Sequence, residues 1–240
     1  MKNILYILII IFILSISFNS VKADIHGSSL VGWWTLDTTR YGTGANQVID
    51  SSGGGFTGTV TGTPVAKATM IQQGLEFDGG SVSSIATTYT GALTDFTACA
   101  WFIPLPSRTG YDRILDKDFS TGFWIGNNTG TNDWGGGIRN TDGNPLFTGF
   151  TLSDNKWYHL CIQRSGTTQT VILNASSTIS STISSTATDG TAPVRIGTSS
   201  FGSTDGCKCI IDDVRIYNRA LSLAEVKQLY LQGKQFINNQ

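Results

Sequence analysis

The sequence predicts an all-β sandwich or barrel closed by one C-terminal helix. Three observations predict it. Apolar residues alternate with polar ones at period two in stretch after stretch. Clusters of Gly, Asp, Asn and Ser separate those stretches. Charged residues make up only 14% of a chain that carries 28 glycines. Such a composition suits short strands joined by many turns.

Residues 1–23 stand apart from that pattern. Met1-Lys2-Asn3 is a short basic opening, Ile4 to Phe18 is almost unbroken Ile, Leu, Phe and Tyr, and Val21-Lys22-Ala23 places small residues where a signal peptidase reads. The apolar run is shorter than the ~20 residues a membrane-spanning helix needs. The expectation is a signal peptide over 1–23, cleaved after Ala23, with an uncleaved N-terminal anchor as the alternative. Residues 24–240 then form one secreted, extracellular domain with no membrane insertion after cleavage.

The strands follow in order. Leu30 to Leu36 places Leu30, Gly32, Trp34 and Leu36 on one face, and Leu75-Glu76-Phe77 runs into the turn Asp78-Gly79-Gly80. Phe96, Ala98, Ala100 and Phe102 alternate with Thr97, Cys99, Trp101 and Ile103. Leu160 and Ile162 alternate with His159, Cys161 and Gln163, and Thr170 to Leu173 answers them across Arg164-Ser165-Gly166. Val194 to Ile196 and Ile210 to Tyr217 supply the last strands. The Thr/Ser run from Ser176 to Thr188 reads as loop or weak strand. One helix is legible. Ser222-Leu223-Ala224-Glu225 is a capping box, Leu221 and Val226 stand at staple positions, and Val226, Leu229 and Tyr230 form an apolar stripe. Gly233 is read as its stop.

Charge narrows the partners. Of the 16 basic residues two lie in the leader, leaving 14 against 17 acidic ones, a net charge of −3. Basic residues scattered singly in such a balance argue against a nucleic-acid partner. Four cysteines in an exported chain read as disulfides, and Cys207-Lys208-Cys209 lacks the second ligand pair a zinc site needs.

Several segments, in order, carry a resemblance: Leu30-Val31-Gly32-Trp33-Trp34-Thr35-Leu36-Asp37, Asp50-Ser51-Ser52-Gly53, Gly74-Leu75-Glu76-Phe77-Asp78-Gly79, Phe96-Thr97-Ala98-Cys99-Ala100-Trp101, Lys156-Trp157-Tyr158-His159-Leu160 and Ile211-Asp212-Asp213-Val214-Arg215-Ile216-Tyr217-Asn218-Arg219-Ala220-Leu221-Ser222. Together they resemble the laminin-G-like jelly-roll family of the concanavalin-A-like lectin/glucanase superfamily. The resemblance implies an antiparallel two-sheet jelly-roll sandwich. A narrower one, in Phe96-Thr97-Ala98-Cys99 and His159-Leu160-Cys161, is to the two cysteine strands of pentraxins. With the shared parity of Cys99 with Trp101 and of Cys161 with His159, it implies a Cys99–Cys161 disulfide opposite the Phe96/Ala98/Ala100 row. Gln163-Arg164 departs from the pentraxin pattern, and positions 197–206 hold only Asp205 where pentraxins carry an acidic calcium loop. The pentraxin ligand site is therefore not carried over. Cys207 and Cys209 are left as a local bond or free thiols.

Glucanases of the superfamily resemble one another in a Glu-x-Asp-x-Glu strand, where one carboxylate attacks and another protonates. This chain has two glutamates, Glu76 and Glu225, and the second belongs to the helix cap. The mature histidines, His26 and His159, complete no Ser/His/Asp set. The expectation is a binding module, not an enzyme. The family resemblance implies one structural calcium, with Asp212 as chief ligand and Asp50 and Asp78 as contributors. Asp212 shares parity with Val214 and Ile216, so its carboxylate is expected to point inward, where it needs a partner. For a ligand, Trp124, Trp134 and Trp101 are the candidates: Phe123 and Ile125 look core-facing and turn Trp124 outward, Trp134 sits in the glycine-rich Asn132-Asp133-Trp134-Gly135-Gly136, and Trp101 shares the face of Cys99. Flat apolar rings beside hydrogen-bonding groups suit a sugar. Asn127-Asn128-Thr129 and Asn174-Ala175-Ser176 are glycosylation sequons. The reading is a secreted lectin-like module for an extracellular glycan or glycoprotein. The alternatives are a protein-adhesion module and a polysaccharide-active enzyme with an atypical site.

Overall fold

A computed structural model describes residues 25–37, 47–69, 72–80, 83–118, 121–128, 132–139, 145–183, 190–200 and 205–237. The expected leader, Thr129 of the first sequon and residues 184–188 of the Thr/Ser run lie outside them. Among the described residues no helix is long and apolar enough to cross a membrane.

Among the described residues sixteen strands, numbered in chain order, make two antiparallel sheets. The first runs β14 (Ser177–Thr182), β13 (Thr168–Leu173), β12 (Tyr158–Ser165), β7 (Phe96–Pro104), β16 (Lys208–Tyr217), β5 (Gln72–Asp78), β4 (Val65–Thr69), with β1 (Leu30–Trp34) also paired to β16. The second runs β11 (Leu146–Thr151), β10 (Asp133–Ile138), β9 (Phe123–Asn127), β8 (Arg113–Lys117), β15 (Val194–Ile196), β6 (Ser84–Thr87), β3 (Gly58–Thr61), β2 (Gln47–Val48). This is the two-sheet sandwich that the alternation and the resemblance predict. Between the sheets the alternate residues of each strand interdigitate: Trp34, Leu75, Phe77, Phe96, Ala98, Phe102, Ile125, Leu160, Val194 and Ile216 are all in this core. Phe96 stacks on Phe123 with ring centroids 4.4 Å apart.

The outer face of the first sheet has a smaller core of its own. Cys99 stands opposite Cys161 in register, and the two form a disulfide with Cα atoms 4.1 Å apart, on the side away from Phe96, Ala98 and Ala100. Helix α1 (Leu223–Ile237) lays Val226 and Leu229 over that bond, joined by Ile172, Tyr217 and Leu221. Its start is the predicted capping box: the Ser222 amide donates to Glu225 Oε2 at 2.7 Å and the Glu225 amide donates to Ser222 Oγ at 3.3 Å. Arg219 adds an ion pair to Glu225 at 2.6 Å. Gly233 is not the stop. The helix continues past it, and the residue is glycine because a β-carbon there would lie 2.4 Å from Trp101 Nε1.

Two bulges reset the parity that the sequence suggests. In β1 the register shifts between Leu30 and Gly32, so Leu30 joins the outer cluster while Trp34 enters the main core. In β16 it shifts between Asp212 and Arg215, with Asp213 in the left-handed region at φ 49°. Asp212 therefore pairs with Trp101 on the outer side of the sheet instead of sharing the inward face of Val214 and Ile216. Cys207 and Cys209 are bonded to each other.

Candidate functional site

The three tryptophans expected to offer rings to a ligand are all buried. Trp134 lies in strand β10, fully buried in the main core against Phe102, 4.6 Å between centroids. Trp101 is roofed by α1, with Tyr230 stacked on it at 5.3 Å and His159 at 5.0 Å. Trp124 does face outward from the second sheet, but neighbours leave it only 8% exposed.

The three aspartates expected around a cation do not converge. Asp50 spends both oxygens locally: Oδ1 accepts from the amides of Trp33 and Ser52, and Oδ2 from Ser52 Oγ and the Phe56 amide. Asp78 pairs with Lys208, four residues along β16 from Asp212, or roughly 13 Å at strand rise. Asp212 remains. It is fully buried; Oδ2 accepts from Thr69 Oγ1 at 2.6 Å and Oδ1 has no partner. Burial, with Asp213 and Asp37 adding negative charge, holds its carboxyl well above the usual carboxylate range. Asp37 is itself buried and accepts from the Gln73 amide. An orphaned oxygen among buried carboxylates and a hydroxyl suits a hard cation, which takes oxygen donors.

The outer face of the second sheet is different, because no helix among the described residues lies on it. Cross-strand partners set one row there as Gly137, Trp124, Asp116, Arg195, Ala86 and Thr59, and a second as Phe147, Gly135, Gly126 and Arg113. Arg113 is the hinge of this surface. Its guanidinium lies 4.1 Å from the Trp124 ring centroid and 4.9 Å from that of Tyr111, so it is sandwiched between a buried ring and an exposed one. Gly126 and Gly137 leave the room: a β-carbon on the first would lie 2.1 Å from the Asp112 carbonyl oxygen and on the second 3.0 Å from Trp124 Nε1.

Next to Arg113 opens a polar cleft of about 110 Å³, lined by Asp78, Ser107, Arg108, Thr109, Asp112 and Lys208 among others. Asp112 anchors it. Its Oδ1 accepts from the Lys208 amide at 2.7 Å, its Oδ2 from Asn127 Nδ2 at 2.6 Å, and Arg108 Nε stands 3.4 Å from Oδ2. Burial pushes this carboxyl up to about 6, against the opposing pull of the Lys208 amide, Arg108, Arg113 and Asn127. Since its oxygens are engaged by structural donors, Asp112 positions the cleft and is poorly placed to protonate a leaving group. Asn127 spends its side-chain amide here too, so the first sequon loses the nitrogen that a glycan would need. The glutamates are also committed: Glu76 pairs with Lys67 at 3.1 Å, and Glu225 belongs to the cap.

Sequence reasoning missed Tyr111, Arg108, Asp112, Arg113, Asp116, Arg139, Arg195 and Asp37. One signal was present: charges are scarce in this chain, yet Arg108, Asp112, Arg113 and Asp116 fall within nine positions.

Comparison with known proteins gives the family. The family described as the concanavalin A-like lectin/glucanases superfamily, laminin-G type, matches residues 77–227. No curated protein matches the chain in sequence. Among solved structures, the binding domain of Paraclostridial Mosquitocidal Protein 1 is similar, with a TM-score of 0.68 and 18% identity over 86% of this chain and 52% of that one. A botulinum neurotoxin type C structure, whose cell entry depends on two ganglioside molecules, has a TM-score of 0.68 and 13% identity over 88% of this chain and 53% of that one. Domain 4 of AbnA, an extracellular arabinanase from Geobacillus stearothermophilus, was solved with arabinotriose. It has a TM-score of 0.66 and 18% identity over 84% of this chain and 98% of that one. The chain spans about half the length of the two toxin structures. With well over half of its residues matched, the chain belongs to the laminin-G family of the concanavalin A-like lectin/glucanases superfamily.

Proposed function

We propose that the chain is a secreted, lectin-like module that binds an extracellular glycan on the outer face of its second sheet, without hydrolysing it. The observation that carries this reading is the Tyr111–Arg113–Trp124 stack beside the Asp112 cleft. Tyr111 is an exposed ring at 41% exposure, held against a guanidinium that cannot drift because Trp124 backs it. A sugar ring can stack on Tyr111 while its hydroxyls reach Asp78, Ser107, Thr109 and Lys208 in the cleft. Few, well-placed polar groups next to an aromatic surface are what small-ligand recognition needs. Trp124 acts in this reading as the support of the platform. The fold alone does not choose a function, but two of the similar structures lend support: one was solved with arabinotriose, and the other is of a neurotoxin whose cell entry depends on interaction with two ganglioside molecules. The leader-like residues 1–23 support an extracellular site of action.

The proposal includes a structural calcium held by Asp212 and Asp37, with Thr69 beside them. Bound there, the ion would supply the positive charge that the buried carboxylates lack.

Glycan-array binding by the chain, with and without calcium, tests the reading, together with turnover assays on a polysaccharide panel. The expected result is binding without product release, lost in Tyr111→Ala at an unchanged melting temperature. Absence of glycan binding across the array, or release of sugar from any polysaccharide, would overturn it.

A further inference from the structure

One arginine on the outer face of the second sheet, Arg195, has a side chain with no hydrogen-bond or ion-pair partner among the described residues. The guanidiniums of Arg113 and Arg139 act on one buried carboxylate, Asp116, and a third arginine, Arg195, stands in register with it on the next strand. Arg139 Nη2 lies 2.5 Å from Asp116 Oδ2, and the backbone of Arg195 pairs directly with that of Asp116 across the strands. Arg195 is not its ion-pair partner, however. The oxygens of Asp116 are taken by Arg139 and by Ser200 Oγ at 2.5 Å, with Ser199 Oγ at 3.4 Å. Among the described residues, the side chain of Arg195 makes no hydrogen bond or ion pair, although it is half-buried on a sheet face between Ala86 and Asp116. Arg113 Nε is buried and also has no partner.

The electrostatics agree with that geometry. Burial lowers the affinity of both Arg113 and Arg139 for their protons, and Arg139 adds repulsion to Arg113. Asp116 and Asp205 act on both arginines from the other side, and Asp118 acts on Arg139. No hydrogen bond or ion pair joins any of these acids to the Arg195 side chain among the described residues. A half-buried guanidinium without an anion has lost solvent without gaining a partner, and its planar fork matches a carboxylate or sulfate.

We infer that this face selects glycans bearing an anionic substituent, a carboxylate or a sulfate ester, which Arg195 engages beside the Arg113–Tyr111 platform. The inference rests on the glycan-binding reading above and specifies its ligand class.

Matched triples test it: lactose, cellotriose and arabinotriose, each neutral, carboxylated and sulfated, titrated against the chain. The anionic members should bind about tenfold more tightly than their neutral counterparts, an advantage that shrinks as salt rises. Carboxylated and sulfated arms identify which group is preferred. In Arg195→Gln the advantage should vanish, while Lys67→Gln, the same charge change on the other sheet, should preserve it. Equal binding of neutral and anionic members, or discrimination surviving in Arg195→Gln, overturns the inference and leaves the glycan reading standing. No binding by any member, together with a blank array, overturns both. Because Arg195 has no partner to lose, its variant should keep the wild-type melting temperature. Unfolding instead would show that the side chain has a structural role and would also overturn the inference.

Discussion

Gly233 passes so close to Trp101 that a β-carbon on the glycine would stand 2.4 Å from the indole Nε1 and 2.6 Å from Cε2. The relationship explains why a helix with a weak residue in its third turn still docks firmly. Tyr230, one turn earlier, stacks on the same indole at 5.3 Å. Gly233→Ala should therefore destabilise the protein, although alanine gains about 1 kcal/mol in helix propensity. Overpacking typically costs about 1–3 kcal/mol, so the net loss should be visible in urea unfolding. A more stable variant would mean that the helix can slide off the ring.

The cap at the other end of α1 carries an ordinary expectation. Ser222→Ala removes the acceptor for the Glu225 amide and the hydroxyl that donates to Glu225 Oε2 at 2.8 Å. A loss of about 1 kcal/mol should follow. Thermal unfolding equal to wild type would show that the Arg219–Glu225 ion pair alone holds this turn.

His159 gives the fold an acid limit. It is fully buried beside the Cys161 sulfur, and burial, reinforced by Arg215, pushes its imidazole down to about 3. The folded protein holds the ring neutral, whereas the unfolded chain protonates it near 6.5. Its contribution is complete above about pH 6.5 and is lost as pH falls toward 3, by up to ~1.4 kcal/mol per pH unit. Asp112, raised to about 6, works in the opposite sense: its contribution is largest below about pH 4 and fades as pH rises through 6. Urea unfolding of His159→Phe between pH 4 and 7 should isolate the histidine, with a shallower acid loss than wild type. Parallel curves would show that the histidine is protonated in the fold.

The main core and the helix start were legible because they follow local periodicity. Phe96, Ala98, Ala100 and Phe102 alternate without a break, and all four are in the core. The face of Asp212 was not legible, because a single left-handed residue, Asp213, inverts everything before it, and an aspartate does not announce such a turn as a glycine does. Trp134 was misread for the reverse reason. Gly135 and Gly136 looked like loop punctuation, yet they lie in a strand; a β-carbon on Gly135 would stand 1.9 Å from the Leu146 carbonyl oxygen. The candidate site was hidden because alternation treats every polar position as solvated. Arg113 and Asp116 do point outward, but stacking and ion pairing with their neighbours bury them.

Asp212 separates two accounts of its burial. Without a cation the folded state must keep the carboxyl protonated, so its contribution declines as pH rises above the free value of 3.8. In chelator at pH 7.5, Asp212→Asn should then be more stable than wild type by about 1–3 kcal/mol. Millimolar calcium should reverse the order, raising the melting temperature of wild type and not of the variant. A wild-type curve that is the same in calcium and chelator would remove the ion from Asp212.

Tyr111 and Trp134 should respond oppositely to truncation. Trp134 fills the main core against Phe102 and beneath the Arg108 guanidinium, 5.8 Å from its ring centroid. Its replacement by Ala should cost about 3–5 kcal/mol and lower the melting temperature sharply. Tyr111 has one face in solvent and its other contact on Arg113, so Tyr111→Ala should leave stability within about 0.5 kcal/mol. Its loss should instead weaken glycan binding, because the ring is the exposed layer of the stack. Trp124→Ala should do both, since the indole supports Arg113 and is itself nearly buried. Measuring melting temperature and glycan affinity on the three variants separates the roles. If Tyr111→Ala binds glycan as wild type does, the platform lies elsewhere on the surface. If Trp124→Ala loses stability without losing affinity, Arg113 does not depend on it for position.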